Sequence, residues 1–391
     1  MKPVPILFLG DSPELNSGLA RIGRDLAVLL SQNPRFRVGY LGLGGNGSSQ
    51  LPFQQYVMQA TQEQYEWGYH SLPRVWQDFA GQESGIVFTV WDMTRLLWLS
   101  RPEYVEDQDL KNFLLTAPYK IWSYVPIDSF GPDRKLTGMI RETLMGLDRI
   151  LCYSPWARDC VLHTIGPDAA ERKGLDWIPH GLDTTIWKPN LEGNKKWFSV
   201  GVVATNQPRK DWGLVAETCS ILKNKFGEGI KFWWHTDRLV KHWSIPALLH
   251  DFGIVNDTEV TMELSNKEIA GRYQSCCLTI HPGQGEGFGY PIFESLACGV
   301  PAIHGEYAGG ASILGTMGLE HYTIQPAAMR IDSQFNCYRP VHSAMVWADK
   351  AMEIMKESGD PAYYAGRVEH LSWPRLWPVW DRWFSEGVQI V

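Results

Sequence analysis

The sequence predicts an α/β protein of two domains, each a parallel sheet with helices packed against it. Three observations carry this. Short apolar runs alternate with helical patterns along most of the chain. The chain is 391 residues long, more than a single core ordinarily serves. Its two halves also open alike, with a strand, a glycine-rich or polar loop and then a helix.

Residues 5–9 form the first strand, a continuous apolar run. Residues 18–30 follow as an amphipathic helix, with Ile22, Leu26, Leu29 and Leu30 on one face. A second strand spans 37–43. Residues 44–56, rich in Gly, Ser and Gln, make a loop with freedom to move. Strands continue at 86–90, 120–125 and 149–153. The segment WIPHGLDTTIWKPN (177–190) closes the first half, and the polar LEGNKK after it has the composition of a linker. A second series opens at 198–203 and continues at 230–234, 277–281 and 301–304. The domains are therefore drawn as 1–190 and 191–364, with a helical tail at 365–391 packing back on the first. In that tail Trp373, Trp377, Trp380 and Trp383 fall along one helical stripe. A packing helix is the plain reading of the stripe and a row of sugar-stacking rings the other. Pro374 and Pro378 are expected to kink or interrupt it.

Composition excludes several classes. Hydrophobic residues make up 44% and charged residues 20%, as in a globular protein. No apolar run reaches about 18 residues, so no membrane-spanning helix is expected. The apolar start gives way at once to polar and acidic residues, which reads as a buried strand and not a signal peptide. Seven scattered cysteines without a CxxC pair argue against a disulfide framework or a zinc site and point to a reducing cytoplasm. A net charge of −7 gives no broad basic face for nucleic acid. The 18 Trp serve either core packing or as platforms for sugar rings and bases.

The most informative stretch is HPGQGEGFGYPIFESLACGVPAI, residues 281–303. A buried strand runs into a loop holding Gly283, Gly285, Gly287 and Gly289, and Pro291 suits the first turn of the helix that follows. The glycines allow a ligand to approach the backbone, and the helix start offers unpaired N–H groups and the positive end of its dipole. Such a turn at the carboxyl edge of a parallel sheet is an anion site. Two carboxylates accompany it: Glu286 in the loop and Glu294 in the helix. Beside a phosphate they repel the charge but accept well from hydroxyls, so a sugar and a ribose would satisfy the pair.

EGFGYPIFE resembles the E-x7-E motif of retaining GT-B glycosyltransferases, and ESLACGVPAI is close to the form seen in glycosyltransferase family 4. The resemblance, spread over roughly residues 6 to 310, implies a GT-B fold of two Rossmann-like domains facing each other across a cleft. It implies that Glu286 contacts donor-sugar hydroxyls, that Glu294 binds the ribose, and that the amides of Gly287, Phe288 and Gly289 lie against the sugar and phosphates. In VGVVATNQPRKDWGL (200–214), Arg209 and Lys210 match the Arg and Lys that hold the diphosphate in that family. Arg209 would grip phosphate oxygens in a fork and Lys210 act as a point charge. They take the part a metal plays in other transferases, so neither a metal nor any other cofactor is expected. The letters of a DxD motif occur only at Asp107, Gln108 and Asp109, in an acidic stretch with no strand before it.

Further matches fill in the site. SGLAR (17–21) resembles the family's first glycine loop, so Ser17 and Gly18 offer backbone donors to the phosphate and Arg21 assists acceptor or phosphate. In YVPID (124–128) Asp128 stands near the point where the family often has a His; it would accept a sugar hydroxyl or orient the acceptor. Trp91 and Asp92 are acceptor-side candidates. IPHGLDTTIWKP resembles the family's interdomain element. Asn206, His235, Asp237 and residues 263–267 are placed along the nucleotide pocket, His235 also reading as an ordinary strand-end histidine.

The implied function is metal-independent transfer of a hexose from a nucleotide-sugar donor to a hydroxyl acceptor, with retention of configuration. UDP-glucose, the commonest donor, is the first expectation and GDP-mannose the second. The acceptor stays open between a soluble sugar, a protein side chain and a modified DNA base, the last known for phage enzymes of this architecture. A phosphorylase and a non-catalytic sugar-nucleotide-binding protein are the alternatives.

Overall fold

The computed structural model describes residues 2–58, 67–191, 197–227, 229–333, 335–357 and 359–389. The chain divides into two compact units, Met1–His180 with Trp377–Val391, and Gly181–Leu376.

The first unit is a sheet of seven strands: β1 (Val4–Asp11), β2 (Phe36–Leu43), β3 (Gln54–Val57), β4 (Gly85–Val90), β5 (Tyr119–Val125), β6 (Arg149–Cys152) and β7 (Asp176–Trp177). Their order is β3-β2-β1-β4-β5-β6-β7, and every neighbouring pair is parallel. Strands covered on both faces must be apolar throughout. That is why Ile6, Leu7, Phe8 and Leu9 of β1 are all buried, and why such runs are easy to see in the sequence. The helix Gly18–Ser31 starts where Ser17 Oγ accepts the Ala20 N–H at 3.0 Å, and it buries Ile22, Leu26 and Leu30.

Two expectations are corrected here. The stretch 44–56 is a loop only as far as residue 53. Its end is the edge strand β3, and its turn is pinned by Glu14, which accepts from the N–H groups of Asn46 at 2.6 Å, Ser49 at 2.8 Å and Gly47 at 3.1 Å. Those backbone donors, Asn46 first, hold the Glu14 carboxyl down at about 2. In the tail, the helix Trp373–Val388 runs unbroken through both prolines. Pro374 lies in the first turn, where its missing N–H costs nothing, and Pro378 is exposed and gives up one bond. The inward face of this helix, from Trp380 to Phe384, packs on the sheet. Trp380 meets Tyr124 at 4.8 Å between ring centres, Trp383 meets Trp122 at 5.3 Å and Phe384 meets Phe88 at 5.0 Å. Packing is thus the role of Trp380 and Trp383, both buried.

The second unit has six strands: β8 (Phe198–Val203), β9 (Phe232–His235), β10 (Thr258–Thr261), β11 (Cys276–His281), β12 (Ala302–Gly305) and β13 (Thr323–Ile324). The order β10-β9-β8-β11-β12-β13, again all parallel, repeats that of the first unit. An antiparallel hairpin follows, β14 (Ala328–Asp332) with β15 (Cys337–Val341). In each unit the chain reverses its direction of travel across the sheet beside the first strand, between β1 and β4 and between β8 and β11. The crevice at the carboxyl ends of such a strand pair is where open α/β sheets bind ligands.

The units meet in sequence at 180/181 and 376/377, against the expected 190/191 and 364/365. Leu182 explains the shift, since its N–H donates to Leu371 O at 2.8 Å and its carbonyl accepts from Trp373 N at 3.2 Å, which ties both stretches into the second unit. Residues 192–196 of the expected linker lie outside the described residues.

Candidate functional site

The β8/β11 crevice brings together the predicted cations and the predicted acid. After β8 the chain passes Asn206 and enters the tight turn Pro208–Lys210, which ends on Asp211 in a left-handed conformation at φ 46°. After β11 it enters the glycine loop. Arg209 Nη1 donates to Gly285 O at 2.6 Å and lies 3.3 Å from Glu286 Oε2, while Lys210 Nζ donates to Glu286 Oε1. Burial by itself would raise the Glu286 carboxyl. Lys210 and then Arg209 overcome it and hold the group at about 2. A small pocket here is lined by Val203, Ala204, Lys210, His281, Gly283 and Glu286.

Close backbone approach shapes the loop. Gly289, at φ 93°, caps the helix Tyr290–Ala297. The N–H of Gly309 donates to Glu286 O at 2.8 Å, and a Cβ at Gly309 would lie 1.8 Å from Gly287 O. Only glycine lets the start of a second helix, Ala308–Thr316, press on the loop. The Phe288 ring is buried against Phe293, at 4.6 Å, and Tyr290, at 5.1 Å, so a ligand at Phe288 meets its backbone. Glu294 is buried, and its Oε2 accepts from Tyr273 OH at 3.4 Å.

Two histidines back the loop in neutral form. His281 Nε2 lies 2.9 Å from Thr279 Oγ1, and His304 Nδ1 lies 2.8 Å from the carbonyl of His281. Burial, reinforced by His304, pushes His281 down to about 3, and burial lowers His304 as well.

The remaining predicted residues of this unit have structural duties. Asn206 is fully buried. Its Nδ2 donates to the carbonyls of Arg238 at 3.0 Å and Trp243 at 2.8 Å, and its Oδ1 accepts from Trp243 N at 2.9 Å. Asp237 Oδ1 takes the Asn206 N–H at 2.6 Å. These bonds join the loop after β8 to the loop after β9 and engage the Asn206 amide there. His235 ends β9 with Nδ1 3.0 Å from Thr261 Oγ1, and burial lowers its pKa. Within 263–267, Glu263 takes a left-handed φ of 56° and Ser265 forms a capping box with Glu268. A larger cavity of about 640 Å³ opens at the opposite, amino-terminal edge of this sheet, beside Trp197 and Lys231. Its charges are paired locally, Arg272 with Glu259 at 2.6 Å and Lys231 with Asp257 at 2.9 Å.

The matching crevice of the first unit is organised by Asp11, which no motif marks. Its Oδ1 accepts from Trp91 Nε1 at 2.9 Å and lies 3.6 Å from Arg95, and its Oδ2 accepts from Ser17 Oγ at 2.9 Å. The Arg95 guanidinium sits 4.3 Å over the Trp67 ring and pairs with Asp92 at 3.6 Å. Trp91 is therefore buried and steadies Asp11; it presents no open ring face. Ser17 caps the helix that the exposed Gly18 begins. Arg21 lies on that helix, and its charge reinforces the burial that keeps His180 neutral. Asp128 falls three residues past β5, half-buried. Asp107 caps the helix Gln108–Thr116 through Leu110 N at 2.9 Å, so the DxD letters there are a helix start. None of the seven cysteines is in a disulfide. Among the described residues no helix is long and apolar enough to cross a membrane.

Comparison with known proteins bears on the fold. The family described as Glycosyl transferases group 1 matches residues 245–327, a span that includes the glycine loop, Glu286 and Glu294. No curated protein matches the chain. Solved structures do. Sucrose-phosphate synthase from Thermosynechococcus elongatus superposes with a TM-score of 0.68 at 13% identity, over 99% of this chain and 100% of that one. The Anabaena protein HepE in complex with UDP-glucose gives 0.68 at 14%, over 99% and 100%. The lipopolysaccharide outer core galactosyltransferase WaaB gives 0.66 at 10%, over 98% and 100%. The chain is thus an α/β protein of two Rossmann-like domains with the GT-B fold. Within it, residues 245–327, which carry the glycine loop, are similar to the family described as Glycosyl transferases group 1.

Proposed function

We propose that the chain is a retaining glycosyltransferase that moves a hexose from a nucleoside-diphosphate sugar to a hydroxyl acceptor without a metal. The observation that carries this reading is the buried, ionised Glu286 clamped by Lys210 and Arg209 at the mouth of the β8/β11 crevice. A hydroxyl-accepting carboxylate and two phosphate-binding cations sit within one contact of each other, next to a glycine loop and a helix start. That set matches a sugar joined to a diphosphate, charge for charge. HepE, of the same fold, is described with UDP-glucose bound, which supports a uridine donor.

Within the crevice the cations and the acid neutralise one another. Donor phosphates would draw Arg209 and Lys210 toward themselves and free the Glu286 oxygens for sugar hydroxyls, while Glu294 takes the ribose. The acceptor oxygen then attacks the anomeric carbon from the side of the departing group. The bond from that carbon to the phosphate oxygen breaks, and the acceptor proton passes to the leaving diphosphate. The chain supplies position and charge, and no covalent intermediate is needed. Asp128 is assigned a sugar or acceptor hydroxyl.

The test is to incubate the protein with UDP-glucose, GDP-mannose and related donors, with and without EDTA, and to follow nucleotide release. Proton NMR reads the configuration of any product. Arg209→Ala and Lys210→Ala should each lower turnover about a hundredfold or more. Unchanged turnover in both would remove the assignment. Loss of activity in EDTA would remove the metal-free part of it.

A further inference from the structure

Gln284 makes four hydrogen bonds to four other residues. Its N–H donates to Arg209 O at 2.6 Å. Its Nε2 donates to Asp211 Oδ2 at 2.8 Å. Its Oε1 accepts from Arg330 Nη2 at 3.1 Å, and its carbonyl accepts from Arg339 Nη1 at 3.2 Å. The amide can point only one way, because a carboxylate only accepts and a guanidinium only donates. The side chain is buried, and two of its partners are themselves fixed. Asp211 Oδ1 caps the helix Trp212–Phe226 through Leu214 N at 3.2 Å, and the buried Arg339 lies 3.5 Å from Asp332.

The position of this residue gives the network its meaning. Arg209 and Asp211 flank Lys210 in the cationic turn. Gly285 and Glu286 follow Gln284 directly. Arg330 and Arg339 come from the β14–β15 hairpin. One residue, through backbone and side chain together, therefore ties the phosphate-side turn to the sugar-side loop and braces both against the hairpin. We propose that Gln284 is a positioning residue that sets the spacing between the Arg209–Lys210 cations and the Glu286 carboxylate. Through Arg330, the hairpin tunes how a sugar nucleotide is held. This rests on the donor reading above. It makes a distinct demand, because a bare nucleoside diphosphate has no sugar for Glu286 to hold, whereas its sugar ester must engage the Arg209–Lys210 turn and Glu286 in register.

The experiment compares these two ligands. Titration calorimetry is run with UDP and UDP-glucose, or with GDP and GDP-mannose if the wild type prefers guanine. The proteins are wild type, Gln284→Met, which keeps the shape and loses both side-chain bonds, and Gln284→Glu, which sets a carboxylate against Asp211. Both variants should bind the diphosphate within about threefold of wild type. Both should lose the sugar ester about tenfold or more and, once transfer is measured, about a hundredfold in kcat. Gln284→Glu should be the worse of the two. Arg330→Ala, which leaves the Asp211 bond intact, should show a smaller loss of the same pattern, and it carries the test if the Gln284 variants fail to fold. Equal loss of diphosphate and ester, or no loss of either, overturns the inference. A wild-type protein that binds none of these probes overturns the donor reading itself, a result easily told from the other two.

Discussion

Lys210→Met leaves Glu286 buried with one cation fewer. Lys210 is the largest influence opposing that burial, so the carboxyl should rise from about 2. The sign of the linked effect follows. A carboxyl held below its ordinary value of 4.5 adds stability above that value, and the contribution disappears as pH falls toward 2. Wild type should therefore lose stability with acid across that window, and Lys210→Met should lose less there. Urea unfolding at a series of acid pH values measures both slopes, and parallel slopes would show that Lys210 does not govern the group. Arg209, Lys210 and Glu286 were legible in the sequence because each sits in a motif with fixed spacing to a strand end. Asp11 and Gln284 were not. Asp11 acts through Ser17, Trp91 and Arg95, far apart in sequence, and Gln284 through residues of two other segments. No local pattern announces a side chain whose partners are assembled by the fold. Asn206, expected along the nucleotide pocket, has its side chain bonded to Arg238 and Trp243 of the next loop, partners that no local pattern announces either.

At the level of elements, the ends of β11 and β12 carry neutral histidines. His281 is held at about 3 against an ordinary 6.5. Between those values the unfolded chain binds the proton and the folded one does not, so stability should rise with pH across that range. His281→Asn should flatten this rise, as read by the urea midpoint at pH values on either side of about 5. An unaltered rise would place its origin elsewhere. The contact between the two helix starts offers a second check. Gly309→Ala would set a Cβ 1.8 Å from Gly287 O, and the backbone on both sides leaves no flexible group to yield. The loop bearing Glu286 must move, so binding of UDP-glucose should fall about tenfold or more by calorimetry. Binding equal to wild type would mean that the loop's place is not set by Gly309. Long buried strands such as β1 and β8 were plain in the sequence because their apolar runs are continuous. Edge strands were not. β3 is half polar, β10 reads TEVT, and β7 and β13 are two residues each, so nothing in their composition separates them from loops. The β14–β15 hairpin hides for the same reason, its first strand being almost wholly exposed.

At the scale of the molecule, the repeated strand order and the repeated location of the crevice beside each unit's first strand explain why a two-fold βαβ reading of the sequence reached the fold. The chain borders were harder to place, because they depend on pairings such as Leu182 with Leu371 and Trp373 that join distant segments. The first unit is also discontinuous, being completed by Trp377–Val391. Within it Arg149 Nη1 donates to Trp383 O at 2.9 Å, and its guanidinium lies 4.3 Å over the Trp383 ring and 5.1 Å over Trp122. Asp381 receives Asn33 at 2.6 Å and Arg35 at 3.0 Å. A chain ending at Leu376 would uncover the sheet face at Phe36, Phe88, Trp122 and Tyr124. Removing a single buried Trp costs about 3–5 kcal/mol, and a whole domain is stable by only about 5–15 kcal/mol. Loss of Trp380, Trp383 and Phe384 together should therefore unfold the first unit. The second unit, Gly181–Leu376, keeps its strands and its β8/β11 crevice in that chain. Calorimetry should show the wild type losing one transition on truncation while a transition from the second unit survives, and UDP should still raise the surviving midpoint. A truncated chain that keeps both transitions would show that the tail merely covers the first unit, and one that keeps neither would show that the two units fold as one.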